Sequence, residues 1–63
     1  MGQAMEYHYV VSFTNTILAV YGQALRELAF ESAARHRARG VACEVFTLEG
    51  KRRSAGEQYG AEK

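Results

Sequence analysis

Three side chains have the chemistry for nucleophilic catalysis or for binding a soft metal ion: His8, His36 and Cys43. A cysteine beside a histidine can be activated as a thiolate. A zinc site, however, needs three or four ligands at characteristic spacings, and these residues match none of them. Cys43 follows no helix N-terminus and adjoins Glu44 rather than a cation, and the glycines form no phosphate loop. We therefore predict no metal site, no cofactor and no enzymatic activity.

Two clusters concentrate the positive charge of the chain. One consists of Arg35, Arg37 and Arg39, and the other of Lys51, Arg52 and Arg53. Each cluster has a structural explanation, because cations stabilise helix C-termini and charged residues protect edge strands from association. The same residue types bind phosphates, so the clusters also support a nucleic-acid-binding function as an alternative. The net charge of only +1 argues against a general nucleic-acid coat protein and against an acidic nucleic-acid mimic.

The first half of the chain predicts the elements that position these residues. Residues 5–13 alternate with period two, which is typical of a half-buried strand. Residues 16–21 fit either a second strand or the opening of a helix, and their β-branched side chains favour the strand. Residues 23–39 are rich in Ala, Leu, Glu and Arg and predict a helix, which Gly40 ends.

The second half predicts a strand over residues 41–48 and a hairpin turn over 49–51. Residues 51–54 are expected to begin a return strand. The fold class is therefore α+β, with one α-helix packed on a small, mainly antiparallel sheet of three to four strands in the order ββαββ or βαββ. Residues 1–54 form the single domain, and residues 55–63, which are small, polar and glycine-rich, form a flexible tail.

The predicted core combines one face of the first strand with the apolar sides of the helix and the later strand. Its residues are Tyr7, Tyr9, Val11 and Phe13 with Leu25, Leu28, Ala33, Val41, Cys43 and Val45. The second face of the sheet is then left uncovered, and it is expected to carry His8, Val10, Leu18, Phe46 and Leu48. Phe30 is expected on the far side of the helix, beside Arg26 and Arg37.

Length and composition limit what so short a chain can do. It has 63 residues and a single cysteine, so one small core forms without an internal disulfide. Such a core stabilises the fold only marginally, so the sequence is as compatible with a homodimer as with a monomer. The sequence shows no secretory signal and no run long enough to span a bilayer, so we expect a soluble cytoplasmic protein with no membrane partner.

The run "ALRELAFESAARHRARGVACEVFTLEGKR", residues 24–52, resembles the helix–glycine–strand–turn core of very small proteins from phages and other mobile genetic elements. In those proteins a short Leu/Ala helix ends in an Arg-Gly step and enters a strand. Some of them, including certain anti-CRISPR proteins, act by docking onto a larger host complex. The resemblance implies an accessory or inhibitor protein of this kind.

The predicted function is protein binding, either to an unidentified partner or to a second copy. Exposed aromatic and arginine side chains are typical of residues that dominate binding energy at protein interfaces. The predicted binding residues are Arg26, Phe30 and Arg37 on the helix, with Val10, Phe46 and Leu48 on the uncovered sheet face.

Overall fold

A computed structural model describes residues 5–60 and defines three strands and one α-helix among them. The elements are β1 (Glu6–Ser12), β2 (Ile17–Gly22), α1 (Arg26–Ala38) and β3 (Cys43–Glu49). The strands form an antiparallel sheet in the order β2-β1-β3, and α1 packs on one face of it. The predicted α+β class is confirmed, with the order ββαβ and three strands in the described part of the chain.

The helix covers the face of the sheet to which Val10 belongs. Ala29 and Ala33 of α1 are fully buried and cluster with Val10 and Cys43. Alanine side chains let the helix backbone lie close to the strands, so this layer is thin and densely packed. Ala19, Tyr21 and Val45 complete the cluster from its sides.

The C-terminal segment, residues 51–60, covers the opposite face. Tyr9, Val11 and Ile17 are buried there, and Tyr59 packs over them. The Tyr59 ring lies 6.1 Å from that of Tyr9. The Tyr9 hydroxyl in turn accepts a hydrogen bond of 3.0 Å from the Arg53 backbone N–H. This small sheet is therefore covered on both faces, by a helix on one and by an irregular segment on the other.

The segment is also bonded to the start of β2. The Ile17 N–H donates to the Glu57 carbonyl at 2.9 Å, and the Gly56 N–H donates to the Ile17 carbonyl at 2.8 Å. The Tyr59 N–H donates to the Asn15 carbonyl at 2.8 Å. The flexibility predicted for residues 55–63 stays a prediction, and residues 61–63 lie outside the described residues. The contacts of residues 56–59 nevertheless make this stretch part of the fold.

Several predicted boundaries agree with the structure, and others need correction. Residues 17–22 form a strand, and Gly40, at φ 91°, ends the helix with the Schellman pattern of hydrogen bonds. The helix predicted over residues 23–39 is shorter, because Gln23–Leu25 forms a 3-10 turn before Arg26. The return strand predicted over residues 51–54 is wrong, because the chain leaves the sheet after Glu49 and crosses its face.

The predicted core assignment was wrong about which face of β1 meets the helix. The even-numbered residues His8 and Val10 face α1, whereas Tyr7, Tyr9 and Val11 face the C-terminal segment. Phe13, Leu25 and Leu28, all predicted as core, are exposed. The predicted uncovered face was wrong as well, since Tyr9 pairs with Phe46 and Val10 pairs with Val45. Facing residues of paired strands share a face, so Phe46 and Leu48 lie opposite to His8 and Val10.

Candidate functional site

The three candidate chemical groups are each engaged within the fold and do not meet. The His8 Nε2–H donates to the Gln23 carbonyl at 3.1 Å, and Nδ1 is hydrogen-bonded to the Thr47 hydroxyl at 2.8 Å. The buried Cys43 thiol donates to the Ala33 carbonyl at 3.5 Å. The His36 Nδ1–H donates to the Ser32 carbonyl at 2.9 Å. In residues 5–60, no three His, Cys, Asp or Glu side chains are grouped so that they could hold a metal ion.

The two basic clusters lie at opposite ends of β3. Helix α1 ends just before Cys43, and Lys51 follows just after Glu49. A strand of this length separates the two ends by roughly 20 Å at about 3.3 Å per residue. All members except Arg53 are exposed, and Arg37 is in addition hydrogen-bonded to the Cys43 carbonyl. Arg53 is half-buried beside Tyr9.

The six residues predicted to bind protein differ in how accessible they are in the structure. Val10 has no exposed surface, because Ala29 and Ala33 lie over it, so it is not available to a partner in this fold. Leu48 is half-buried against the Tyr9 cluster. Phe30 and Phe46 remain 45% and 41% exposed. The Arg26 guanidinium lies 5.0 Å from the centre of the Phe30 ring, in a cation–π contact.

All three phenylalanines of the chain are exposed. Phe13, which was predicted as core, is 80% exposed at the end of β1. With Phe46 it lines a shallow groove of about 280 Å³ at the start of β3. In so short a chain, phenylalanines are among the most favourable residues to bury. Their exposure leaves these rings accessible to another molecule.

The phenylalanines flank one edge of the sheet. Phe46 belongs to β3 itself, and Phe13 directly follows Ser12, which pairs with Cys43 at the start of this strand. Phe30 lies seven residues before Arg37, so both project from nearly the same side of α1. Arg37 Nε–H donates to the Cys43 carbonyl at 3.1 Å, which places that side of the helix above β3.

The outer edge of β3 presents unpaired backbone groups. The Ala42 carbonyl accepts from Phe13 N–H, and Gly50 N–H donates to the Met5 carbonyl, so the even-numbered residues between them bond to β1. The backbone groups of Cys43, Val45, Thr47 and Glu49 therefore point outward. The Cys43 carbonyl already accepts a hydrogen bond from the Arg37 side chain. No other group in residues 5–60 is bonded to the outward N–H and C=O groups of Val45, Thr47 and Glu49, which we call the β3 edge.

The comparisons with known proteins add no relative to this picture. No protein-family model, curated protein or solved structure matches the chain. Among the described residues, no helix is long and apolar enough to cross a membrane.

The β3 edge was missed in the sequence because strand order cannot be read from periodicity. The alternation of residues 43–49 predicts a strand but does not say whether it is central or at an edge. One signal was present. Glu44 and Glu49 place charged residues near both ends of the predicted strand, and charged side chains are common on edge strands.

Proposed function

We propose that this chain is a small cytoplasmic, non-enzymatic binding module that docks onto protein through the β3 edge. The observation that carries the proposal is the juxtaposition of unpaired backbone groups with Phe13, Phe30 and Phe46. An open edge can accept an extended strand, whose main-chain hydrogen bonds supply affinity. Exposed phenylalanines on both sides of the edge supply the apolar contact that excludes water from those bonds.

The mechanism is steric. Apart from the termini outside the described residues, the body is a three-stranded sheet with a helix on one face and a hydrogen-bonded segment on the other. Such a body presents its edge without rearrangement, and preorganisation lowers the entropic cost of binding. Origin in a phage or mobile element stays a prediction from the resemblance of residues 24–52.

The nucleic-acid alternative has less support. Its two clusters lie at opposite ends of β3, and Arg37 is committed to the Cys43 carbonyl and to Glu44, whose carboxylate lies 3.8 Å away. The dependence of binding affinity on salt concentration distinguishes protein binding from nucleic-acid binding. Phosphate contacts weaken steeply as salt rises, whereas binding through backbone and apolar contacts changes little.

The test uses matched variants on the two flanks of α1. Phe30→Asp introduces a charge beside the β3 edge, and Leu28→Asp introduces the same charge on the opposite flank, at a residue with nearly equal exposure of 42%. Tagged wild-type protein is used to capture partners from the cells that encode it, and second copies are counted as partners. We expect Phe30→Asp to lose the captured protein at least about tenfold and Leu28→Asp to retain it.

Two results would overturn the proposal. One is equal capture by both variants, because the β3 side would then make no contact. The other is a wild-type protein that captures nothing and stays monomeric at high concentration. Far-UV circular dichroism of each variant establishes that it is folded.

A further inference from the structure

We infer that the β3 edge binds the β3 edge of a second copy, antiparallel and with Thr47 facing Thr47. This inference rests on the proposed function and names its partner. A two-fold axis through the Thr47 pair joins two three-stranded sheets into one continuous sheet, with both helices on the same side. The edges themselves, their side chains and their charges each support this register.

The hydrogen-bonding groups select the register. The free outward groups belong to Val45, Thr47 and Glu49, and Thr47 is at their centre. Pairing centred there places Val45 opposite Glu49 of the second copy, and each such pair exchanges two backbone hydrogen bonds. The Cys43 carbonyl takes no part, so the Arg37 contact with it is preserved. A register centred on Phe46 would need the Cys43 groups for its outer pairs and would displace Arg37.

The side chains on the opposite face of the sheet complement each other in the same register. Phe46 faces Leu48 of the second copy, and Leu48 faces its Phe46, which gives two apolar cross-strand pairs. Tyr59 lies 4.9 Å from Phe46, so these pairs extend an aromatic cluster that each copy has already formed. The exposed part of Phe46 thereby loses its contact with water.

Charge complements the pairing at both ends. Gly50 of the second copy lies opposite Glu44, which brings its Lys51 and Arg52 beside an exposed carboxylate. By symmetry the same contact forms twice. The basic residues after Glu49 therefore have an acidic partner on the other copy, which accounts for their placement at this end of β3.

The other edge of the sheet does not offer an equivalent surface. A register shift interrupts β2 between its contacts with Val10 and Val11, and Ile17 is bonded to Gly56 and Glu57. β3, in contrast, pairs with β1 over seven consecutive residues without a shift. A flat, regular edge is the one that can pair with a copy of itself.

The test exploits the facing Thr47 pair. Thr47→Lys and Thr47→Glu each place like charges opposite one another in a homodimer, whereas their mixture places Lys opposite Glu. Both variants lose the hydroxyl that bonds His8, so any effect on the fold is shared. Association is measured by sedimentation equilibrium between roughly 10 µM and 1 mM, and circular dichroism establishes folding.

We expect wild-type protein to dimerise, each variant alone to associate at least about tenfold more weakly, and the equimolar mixture to recover dimers. Gln58→Lys and Gln58→Glu make the same changes in the C-terminal segment, where Gln58 is exposed and pairs with Thr16 just before β2, and are expected to leave dimerisation intact. As a second readout, the amides of Val45, Thr47 and Glu49 should become protected from hydrogen exchange as concentration rises.

A wild-type monomer throughout this range would overturn the self-pairing. The proposed function would survive that result if Phe30→Asp still lost a different captured protein. Weakening by both variants without recovery in the mixture would overturn the register centred on Thr47. Equal association of wild type and both variants would place the contact elsewhere and would also overturn the inference.

Discussion

The two edge strands of this sheet differ in how far the rest of the chain covers their outward backbone groups. β2 begins with Ile17, which is buried and bonded to the C-terminal segment, and a register shift follows it. β3 is regular, and its only cap within the described residues is the Arg37 side chain at its first carbonyl. Bulges and covering segments are common protections of edge strands, and residues 5–60 provide neither for β3.

This difference between the edges follows from the position of the C-terminal segment. The C-terminal segment covers the Tyr9 face and the start of β2 together, so one irregular stretch closes a face and part of an edge. The same segment leaves Phe46 and Phe13 exposed beside β3. An open, phenylalanine-lined edge on a chain with little apolar surface to spare favours a binding function over an incidental defect.

The largest expected effect comes from breaking the protected edge. Ile17→Ala removes a side chain that is 1% exposed and on which the C-terminal segment packs. Large-to-small substitutions in a core cost about 2–5 kcal/mol, because the transfer free energy is lost and a cavity remains. We expect a loss of this size in the free energy of unfolding, measured by urea denaturation.

Ile17→Val is the matched control for this substitution. It keeps the branched shape and should cost only about 0.5–1.5 kcal/mol. If alanine cost no more than valine, Ile17 would not be the anchor of the protected edge. The two edges would then differ less than their hydrogen bonds indicate.

A smaller effect is expected from removing the Arg37 side chain, which caps the Cys43 carbonyl at the start of β3. Arg37→Ala frees the Cys43 carbonyl and ends the contact with Glu44. Because Arg37 is about half exposed, we expect only about 1 kcal/mol of lost stability. Freeing the Cys43 carbonyl also makes pairing registers that use Cys43 available beside the one centred on Thr47, so self-association should increase, measured by light scattering at several concentrations.

Arg35→Ala is the control for charge alone. It removes a cation from the same end of α1, where no hydrogen bond or ion pair joins Arg35 to β3 among the described residues. Equal effects of the two substitutions would mean that the arginines act through net charge. The cap at Cys43 would then have no role in limiting the edge.

Local patterns predicted the elements well, because each depends on neighbours in the sequence. The alternation before Phe13 predicts β1, and the composition before Gly40 predicts α1 and its end. The open question at residues 16–21 was settled correctly by their β-branched side chains. These features owe little to the rest of the fold.

The choice of face could not be predicted by the same means. Both faces of β1 are apolar, since Tyr9 and Val11 alternate with Val10. Small residues on the helix decide the outcome, because Ala29 and Ala33 fit closely over Val10, whereas tyrosine rings need a deeper layer. Alternation alone carries no information about this depth.

The candidate site was predicted only in part, for a related reason. Phe30 and Phe46 were correctly expected to be exposed, but Phe13 was assigned to the core and Val10 to the surface. Their exposure depends on what covers each face, and one cover is a segment without periodicity. Tyr59 was its only apolar anchor in the sequence, and a single tyrosine does not predict where a chain crosses a sheet.

The smallest expected effect concerns the pH dependence of the cover on the Tyr9 face. Burial raises the pKa of Tyr59 above its ordinary value of 10.0, with Tyr9 adding to the rise and Arg53 partly offsetting it. The unfolded chain therefore ionises Tyr59 at lower pH than the folded chain does. The stability that Tyr59 contributes is complete below pH 10 and is lost as the pH rises through its folded pKa.

Tyr59→Phe isolates this contribution, because it keeps the ring against Phe46 and removes the ionisable group. We expect the fall in Tm between pH 9 and about pH 11 to be smaller for Tyr59→Phe than for the wild type. Tyr21→Phe, which removes a hydroxyl on the helix face, is measured beside it as the control for losing a tyrosine hydroxyl elsewhere on the sheet. An equal fall in wild type and Tyr59→Phe would mean that the C-terminal segment does not desolvate Tyr59. The covering of this face, on which the contrast with the open β3 edge depends, would then be looser than the ring contacts indicate.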